Sequence, residues 1–360
     1  MGESSILIVR HGEGRGRGAN PNYMHRTLDY LQLRRPDLHQ RLVFHYTGKP
    51  APSLAGIGAI VFWLKNPLRV HYPACYDDAI WIAEEARKKC IPLINPPDAL
   101  ADFNKSGQGR LWRAAAIPTP EVERFETLES LRKAAERLAF PVVLRADEQH
   151  SQKATYVVRD RGELLKLWGT DLIFPCAVST FIDIRSGYRD AAPRSAYARL
   201  FHKKRLIVAN GVIRTKHIMF SSNPIVGAKT SIYNKAARLG RFEAPFLLWP
   251  LHRECIARDL AYWQQGEEHT ALMLKACDTL GLKFAALDYS DMSDGTPVLW
   301  EANPLFGLPK FQKIMLPRRR RAAERVLSYH EAIGMFLGEL LMARSAAPAG
   351  AGRSLKAGAG

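Results

Sequence analysis

The chain has 360 residues, and its 52 Lys and Arg against 35 Asp and Glu give a formal net charge of +17. This length allows a large buried core and exceeds the usual size of one domain, so we expect two or three lobes and exclude disorder for most of the chain. The positive charge predicts an anionic partner such as a nucleotide, a phosphorylated substrate or a polyanion. Nucleic acid is the least favoured partner, because the sequence carries none of the common nucleic-acid-binding motifs.

Cysteine spacing and hydropathy indicate the cellular compartment of the protein. The five cysteines are scattered without a CxxC pair, which predicts free and mostly buried thiols. The longest apolar run, residues 59–64, is too short to cross a bilayer. We therefore expect a protein of the reducing cytoplasm with no membrane partner.

Residues 1–97 predict a small parallel α/β lobe, because strands alternate with a helix along them. An amphipathic pattern predicts a helix at residues 78–89. Asn95-Pro96-Pro97 breaks the pattern and closes the lobe. Short apolar runs predict buried strands at residues 6–9, 41–46, 59–64 and 91–94.

Residues 98–176 predict a compact α+β unit that can close over a ligand. A polar loop at residues 146–153 joins two of its predicted strands. The predicted strands lie at residues 141–145 and 154–159, and the predicted helical segments at residues 98–116, 127–138 and 162–168.

Residues 177–344 predict a third lobe with a C-terminal helix, and residues 345–360 predict a disordered tail rich in Ala, Gly and Pro. A strand is predicted at residues 177–182, followed by a hairpin that turns at Lys203-Lys204. The hairpin is predicted to span residues 196–212, and the helices to span residues 267–280 and 322–342.

A second hairpin in this lobe is the most informative feature of the chain. Asp294-Gly295 is a strong signal for a two-residue turn, and such a turn places Asp288 opposite Glu301, and Asn303 opposite Ala286. The opposite face of the hairpin then receives an apolar set that can pack on a core: Ala285, Leu287, Val298, Trp300 and Ala302.

The shared face of this hairpin predicts a metal site. Asp288, Glu301 and Asn303 all place oxygen atoms on it. Two carboxylates directly opposite repel each other unless a cation lies between them, and hard oxygen ligands suit Mg²⁺. The alternative is a surface hairpin whose acids pair with some of the many Lys and Arg side chains.

Short motifs between residues 94 and 304 resemble the ATP-grasp superfamily, which includes glutathione synthase and D-alanine-D-alanine ligase. The resemblance covers about two thirds of the chain. It implies an ATP-grasp fold, in which an N-terminal parallel α/β lobe precedes two α+β subdomains that enclose the nucleotide. The motifs occur in the expected order: INPPDALADFNK, AIPTP, PVVLR, VSTFID, SAYARLF, and LDYS followed by DGTPVLWEANP.

The resemblance implies ATP and Mg²⁺ as cofactors, with Asp288, Glu301 and Asn303 holding the metal beside the phosphates. Lys105 and Arg145 are candidates for binding ATP, because phosphoryl transfer needs cations directed at the oxygens on which charge develops. Arg145 stands where the resemblance leads us to expect lysine, and its planar guanidinium can hold a phosphate through two bonds. The alternative for each is a solvated surface cation.

The resemblance also assigns a hinge that binds the nucleoside and an arginine near the transferred phosphoryl group. Asp183 is the candidate acceptor for a ribose hydroxyl, and Arg199 the candidate that stabilises an acyl phosphate. The strand that enters the hinge, where backbone groups bind adenine, contains Val178, Thr180, Phe181 and Ile182.

Three features leave alternatives open. The loop at residues 146–153 has no glycine, so side chains would have to contact phosphate: Glu148, Gln149, His150 and Ser151. His150 is more often a solvent-facing residue than a phosphate contact. His217 can face a substrate or be a non-catalytic histidine. Residues 10–13, Arg-His-Gly-Glu, resemble the signature of histidine phosphatases, but fewer residues precede residue 95 than such a domain requires. Alternatively, Arg10 and the glycine-rich loop after it face an anionic substrate.

The favoured hypothesis is an ATP-dependent ligase that activates a small anionic substrate at its carboxylate as an acyl phosphate, and joins it to an amine or a thiol. The first alternative is a kinase of the same fold. A histidine phosphatase and a non-enzymatic polyanion-binding protein follow. The sequence identifies neither substrate and does not indicate the oligomeric state.

Overall fold

The computed structural model describes residues 4–12, 22–149, 154–170, 172–185, 200–227, 230–232, 245–306 and 319–345. Within these ranges the chain forms three four-stranded sheets, one parallel and two antiparallel. The predicted combination of a parallel α/β lobe with α+β units is therefore confirmed. None of the described helices is long and apolar enough to cross a membrane.

The parallel sheet comes from the N-terminal part of the chain and has the strand order β2-β1-β3-β4. Its central strands are buried along nearly their whole length, which explains their uninterrupted apolar runs. The strands are β1 (Ser5–Arg10), β2 (Leu42–Tyr46), β3 (Ile57–Phe62) and β4 (Leu93–Ile94). The helices are α1 (Asn22–Arg34), α2 (Pro36–His39), α3 (Leu68–His71), α4 (Pro73–Lys88) and α5 (Pro97–Leu100).

The small antiparallel sheet has the order β5-β8-β6-β7. Side-chain caps define where its helices begin: Thr127 accepts a hydrogen bond from Ser130 N, and Asp160 accepts one from Glu163 N. The strands are β5 (Val122–Phe125), β6 (Val142–Ala146), β7 (Thr155–Val158) and β8 (Cys176–Thr180). The helices of this part of the chain are α6 (Lys105–Ala114), α7 (Leu128–Ala134) and α8 (Arg161–Leu167).

The large antiparallel sheet has the order β10-β9-β11-β12 and places the acidic hairpin at its edge. Its strands are β9 (Phe201–Ala209), β10 (Val212–Ser221), β11 (Phe284–Asp291) and β12 (Pro297–Asn303). The helices of this part are α9 (Pro245–Gln264), α10 (Thr270–Thr279) and α11 (Arg319–Ser345).

Two of the sheets share a core and the third has its own. One apolar cluster joins Leu7 of β1 and Phe62 of β3 to Leu206 of β9 and Leu287 of β11, with Trp112 of α6 among them. A separate cluster contains only side chains between residues 125 and 178. The small sheet therefore packs as a unit distinct from the other two sheets, whereas the exact domain limits at residues 97 and 176 stay a prediction.

The predicted turn at Lys203-Lys204 is wrong. Both lysines lie inside β9, and the hairpin turns at Asn210-Gly211, where φ is +50° and +73°. Asn-Gly is the usual sequence for such a two-residue turn, because both positions need a positive φ. Moving the turn along the chain places Lys203, Lys204 and Arg205 in the middle of the large sheet.

Two other differences concern helices. The helical segment predicted at residues 98–116 is interrupted, because Asn104 caps a new helix, α6, by accepting a hydrogen bond from Gly107 N. The sequence pattern also does not predict α1 or α9. In α9 apolar residues fall on all sides and Pro250 interrupts the run, so no amphipathic period identifies it.

Candidate functional site

The acidic hairpin has the predicted pairing across its ligand-bearing face. Asp288 lies directly opposite Glu301, and Ala286 opposite Asn303. Glu301 and Asn303 are half-buried, whereas Asp288 is only 1% exposed. The two carboxylates that the sequence brings together are therefore adjacent on one face of the large sheet.

The turn of this hairpin differs from the prediction. A three-residue loop closes it, with Met292 N donating to Thr296 O (2.8 Å) and Gly295 at φ +85°. Such a loop shifts the pairing by one residue, and an extra residue in β12, Trp300, restores the pairing before it reaches Glu301. Two deviations therefore cancel at the carboxylates.

The extra residue changes which side chains form the apolar face. Trp300 does not join the predicted apolar set but packs against a different cluster, formed by Ile184, Phe201 and Val226, and its Nε1 donates to Ser290 Oγ (2.8 Å). Leu299 takes its place in the shared core. Ala285, Leu287 and Ala302 lie in that core as expected, and Val298 is buried.

Asp288 is bound by two cations that the sequence reasoning missed. Arg205 donates from Nε to Oδ1 (2.5 Å) and from Nη2 to Oδ2 (2.8 Å), and Lys203 Nζ donates to Oδ2 (2.8 Å). Burial acts to raise the pKa of Asp288, but the charges of Arg205 and Lys203 outweigh it and hold the pKa well below its usual range. Recognition of the Asn-Gly turn would have placed Arg205 inside β9, whereas its position opposite Asp288 depends on the long-range pairing of β9 with β11.

Lys105 in α6 and Arg145 in β6 of the small sheet lie near the same hairpin. Both are close enough to Glu301 for its charge to raise their pKa values, although burial is the larger effect and lowers them. Lys105 is the first residue of α6, and Gln108 in the next turn accepts a hydrogen bond from Ala302 N (2.8 Å). This bond fixes the start of α6 beside the strand that carries Glu301.

The polar partners of the two cations differ. Lys105 Nζ donates to the carbonyl oxygens of Asp147 (3.2 Å) and Gln149. Arg145 Nε is buried without a hydrogen-bond partner in the described part of the chain. A buried guanidinium with an unused donor is suited to receive an anionic oxygen.

A buried carboxylate that the sequence did not single out anchors the loop after β6. Asp147 is fully buried and accepts hydrogen bonds from Ser106 N (2.8 Å), Ser106 Oγ (2.6 Å) and Arg124 Nη1 (2.6 Å). Arg124 Nη2 also donates to Glu148 Oε1 (2.9 Å), so the Glu148 carboxylate is engaged with Arg124. The loop predicted to cover phosphates is thus tied to the first turn of α6 at its start. His150 lies outside the described residues.

The predicted nucleoside-binding hinge connects the small sheet to the large one. Val178 is buried in the core of the small sheet and Thr180 is exposed at the end of β8. Phe181 N donates to Pro141 O (3.1 Å), and Asp183 accepts a hydrogen bond from Arg185 Nε (2.9 Å). An apolar cluster beside this hinge contains Ile184, Phe201 and Val226, and four partly buried side chains pack against it: Phe181, Ile182, Met219 and Trp300.

The two histidines for which the sequence left alternatives, His217 and His11, both have polar partners. His217 Nδ1 contacts the hydroxyl of Tyr329 in α11. His11 Nε2 accepts a hydrogen bond from Lys65 N (2.8 Å), and burial, with Lys65 and Arg10 nearby, lowers the pKa of His11 to about 4. A ring nitrogen engaged with the backbone does not favour the phosphatase hypothesis for His11. Arg199 and Glu13 lie outside the described residues.

No protein-family model matches the chain, and no curated protein matches it in sequence. Solved ATP-grasp ligases match its structure. D-alanine-D-alanine ligase from Bacillus anthracis, in complex with ATP, matches with a TM-score of 0.53 and 15% identity, over 96% of this chain and 99% of the ligase. The ATP-grasp ligase PsnB, in complex with a phosphomimetic variant of its minimal precursor, Mg and ADP, matches with a TM-score of 0.52 and 11% identity, over 95% of this chain and 99% of PsnB.

Identities this low establish the fold alone. The chain therefore has the ATP-grasp fold, and the fold predicted from its ordered motifs is confirmed. The site residues need a separate argument, because a shared fold does not fix the chemistry that it carries.

Proposed function

We propose that the chain is an ATP-dependent ligase that activates a substrate carboxylate as an acyl phosphate and joins it to an amine or a thiol. The observation that carries this proposal is the convergence of two carboxylates and two cations from different elements. Asp288 faces Glu301 across β11 and β12, while Lys105 and Arg145 both lie close enough to Glu301 to feel its charge. The ATP-grasp fold supports this assignment.

The metal ligands in this proposal are the oxygen atoms of Asp288, Glu301 and Asn303. Among the residues that the structure describes, no three His, Cys, Asp or Glu side chains form a metal-binding group. A cation at this hairpin would therefore depend on the amide of Asn303 and on phosphate oxygens to complete its ligands, as suits Mg²⁺. When bound, Mg²⁺ would neutralise negative charge on the phosphates.

The cations have the task of holding the triphosphate. Lys105 and Arg145 would bind phosphate oxygens, and Arg145 is suited to this by the free donor at its buried Nε. Lys105 would exchange its carbonyl partners in the loop after β6 for phosphate. Lys105 and Arg145 are both only partly exposed, so each charge acts more strongly than it would at the open surface.

The nucleoside would lie against the hinge. Phe181, Ile182 and the backbone near Val178 and Thr180 would contact adenine, and Asp183 would accept a hydrogen bond from ribose. Arg199, outside the described residues, remains the candidate that stabilises the acyl phosphate.

The proposed reaction has two steps. A carboxylate oxygen of the substrate attacks the γ-phosphorus, the bond from this phosphorus to the bridging oxygen breaks, and ADP leaves with the electron pair. The amine nitrogen or thiol sulfur then attacks the acyl carbon, the bond to the phosphate oxygen breaks, and the nucleophile loses its proton. In this proposal Lys105 and Arg145 would offset charge on the phosphates in the first step.

Nucleotide titration tests the proposal. We expect the wild type to bind ATP more tightly with Mg²⁺ than without it, and Glu301→Gln to lose about tenfold or more of this Mg²⁺-dependent affinity because one metal ligand loses its charge. Glu268→Gln is the matched control, since it removes one carboxylate charge from an exposed position. Equal ATP affinities with and without Mg²⁺ in the wild type would contradict the proposal.

Isotope transfer separates the ligase from a kinase of the same fold. A panel of small carboxylates labelled with heavy oxygen would be incubated with ATP, Mg²⁺ and amines. A ligase transfers one labelled oxygen to the released phosphate, because the carboxylate oxygen stays on phosphorus when the acyl bond breaks. A stable phosphorylated product without labelled phosphate would identify a kinase.

A further inference from the structure

The Asp288 carboxylate is neutralised by side chains of the chain itself. Lys203 and Arg205 make three hydrogen bonds to its two oxygens, at 2.5–2.8 Å. Lys203, Arg205 and Asp288 are all largely buried, so water screens these charges weakly. A proposed metal ligand thus already has two cationic partners.

This arrangement bears on how a divalent cation can bind. A bare cation that approaches Asp288 would meet two positive charges within hydrogen-bonding distance of the same oxygens, and it would have to displace at least one of them. A displaced buried ammonium or guanidinium needs another anion, since an unpaired buried charge is strongly unfavourable. Phosphate oxygens supply such an anion.

We propose that Lys203 and Arg205 are exchangeable counter-ions of Asp288, which make metal binding at this carboxylate conditional on a nucleoside polyphosphate. Without nucleotide they hold Asp288. With nucleotide they turn to phosphate oxygens and leave Asp288 to the metal. This inference rests on the proposed function, because it takes Asp288 as a metal ligand.

The next residue along β9 supplies an internal control. Lys204 lies between the two proposed counter-ions but faces the other side of the sheet, as alternation along a strand requires. Its ammonium donates to Asp291 Oδ2 (2.5 Å). Lys204→Met and Lys203→Met therefore remove the same charge from neighbouring positions, and only the second changes the partners of Asp288.

The test measures binding of Mn²⁺ by electron paramagnetic resonance, with the metal alone and with ADP. In the wild type we expect ADP to tighten Mn²⁺ binding by about tenfold or more. In Lys203→Met we expect Mn²⁺ alone to bind about tenfold more tightly than to the wild type, and ADP to add correspondingly less. Lys204→Met should keep both affinities within about twofold of the wild type. Lys203→Gln repeats the test if the Met variant does not fold, as judged by circular dichroism.

Three outcomes would overturn the inference. Unchanged binding of Mn²⁺ alone in both Lys203 variants, with ADP still tightening binding in the wild type, would contradict the counter-ion role and leave the proposed function standing. Equal effects of the Lys203 and Lys204 variants would attribute the change to net charge. A wild type that binds Mn²⁺ no better with ADP than without it would instead contradict the proposed function itself, and the inference with it.

Discussion

The two faces of β9 and β11 carry similar residues in different arrangements. On one face, Lys203 and Arg205 bind Asp288 beside Glu301. On the other face, Lys204 binds Asp291 within a buried polar group, which we call the tyrosine cluster. The members of the tyrosine cluster are Lys204, Lys216, Tyr262, Glu267, Tyr289 and Asp291.

The polar groups of the tyrosine cluster bind one another. Glu267 accepts hydrogen bonds from Tyr262 (2.9 Å), Tyr289 (2.7 Å) and Lys216 (3.2 Å). The hydroxyls of Tyr262 and Tyr289 also contact each other at 2.8 Å. Burial raises the pKa values of both tyrosines, so they remain protonated donors at neutral pH.

The two faces differ in whether their polar side chains can exchange hydrogen-bond partners. In the tyrosine cluster, two phenols and a lysine converge on Glu267, so each group depends on several others. On the face of Asp288, two long cationic side chains bind one carboxylate next to a second carboxylate and two further cations. The presence of lysine and aspartate therefore does not distinguish a stabilising network from a binding site. The pattern of hydrogen bonds among the side chains does.

The sharpest test of this contrast removes the centre of the tyrosine cluster. Glu267→Ala leaves the buried charge of Lys216 without its carboxylate, so we expect the free energy of unfolding to fall by about 3–5 kcal/mol. Urea unfolding measures this loss, and Mg²⁺-dependent ATP affinity of the folded variant should be unchanged. Glu268→Ala, at an exposed position, should change stability by less than about 0.5 kcal/mol. A large loss of ATP affinity in Glu267→Ala would show that the two faces are not independent.

A second comparison uses the adjacent lysines. Lys204→Met should lower the free energy of unfolding by about 2 kcal/mol more than Lys203→Met does. The reason is that Asp288 retains both bonds from Arg205, whereas Asp291 retains, within the described part of the chain, only the ion-pair contact with His269, at 3.7 Å. Urea unfolding of both variants under one buffer condition checks the difference, and equal losses would count against the proposed contrast.

Protonation gives a third test on the face of the tyrosine cluster. His202 Nε2 accepts a hydrogen bond from Asp291 N (3.1 Å), and burial, with Lys204 nearby, lowers the pKa of His202 to about 3. In the unfolded chain the pKa of this histidine is about 6.5. At pH values between about 6.5 and about 3, His202 is protonated in the unfolded chain but neutral in the folded protein, so the free energy of unfolding falls as the pH falls.

We expect this single histidine to remove about 2 kcal/mol of stability between about pH 7 and about pH 5. His202→Gln keeps an acceptor for Asp291 N and does not titrate, so its unfolding free energy should lose about 2 kcal/mol less over the same interval. Urea unfolding of both proteins at the two pH values measures the difference. Parallel pH profiles would exclude His202 as the source.

The sequence predicted the elements whose determinants are local. Buried apolar runs located β1 and β3, and the cap at Thr127 marks the start of α7 where a helix was expected. The pairing of Asp288 with Glu301 was also predicted, although the assumed turn was wrong. The prediction is correct because the longer loop shifts the strand pairing by one residue and the extra residue Trp300 shifts it back. That agreement depended on a compensation within the hairpin, between its loop and the extra residue in β12, which the sequence pattern does not reveal.

The parts of the site that sequence reasoning missed depend on tertiary contacts or on one misassigned turn. Asp147 follows an ordinary strand, and only packing brings it to Ser106 and Arg124. Arg205 was missed because the hairpin was assumed to turn at the two lysines before it. A basic run on a strand gives no turn signal of its own, whereas Asn210-Gly211 does.

The smallest expected effect concerns the Asn210-Gly211 turn. This turn follows β9, which contributes to both faces of the large sheet. Gly211 has φ +73°, which an alanine adopts only with strain, so we expect Gly211→Ala to lower the free energy of unfolding by about 1 kcal/mol. Gly266→Ala is the matched control: its added methyl group would meet nothing within 4 Å and its φ is not positive, so its stability should change by less than about 0.5 kcal/mol. Urea unfolding measures both, and an unchanged stability in Gly211→Ala would contradict the assignment of the turn. Because β9 carries Lys203 on one face and Lys204 on the other, a loosened turn should not favour one face over the other.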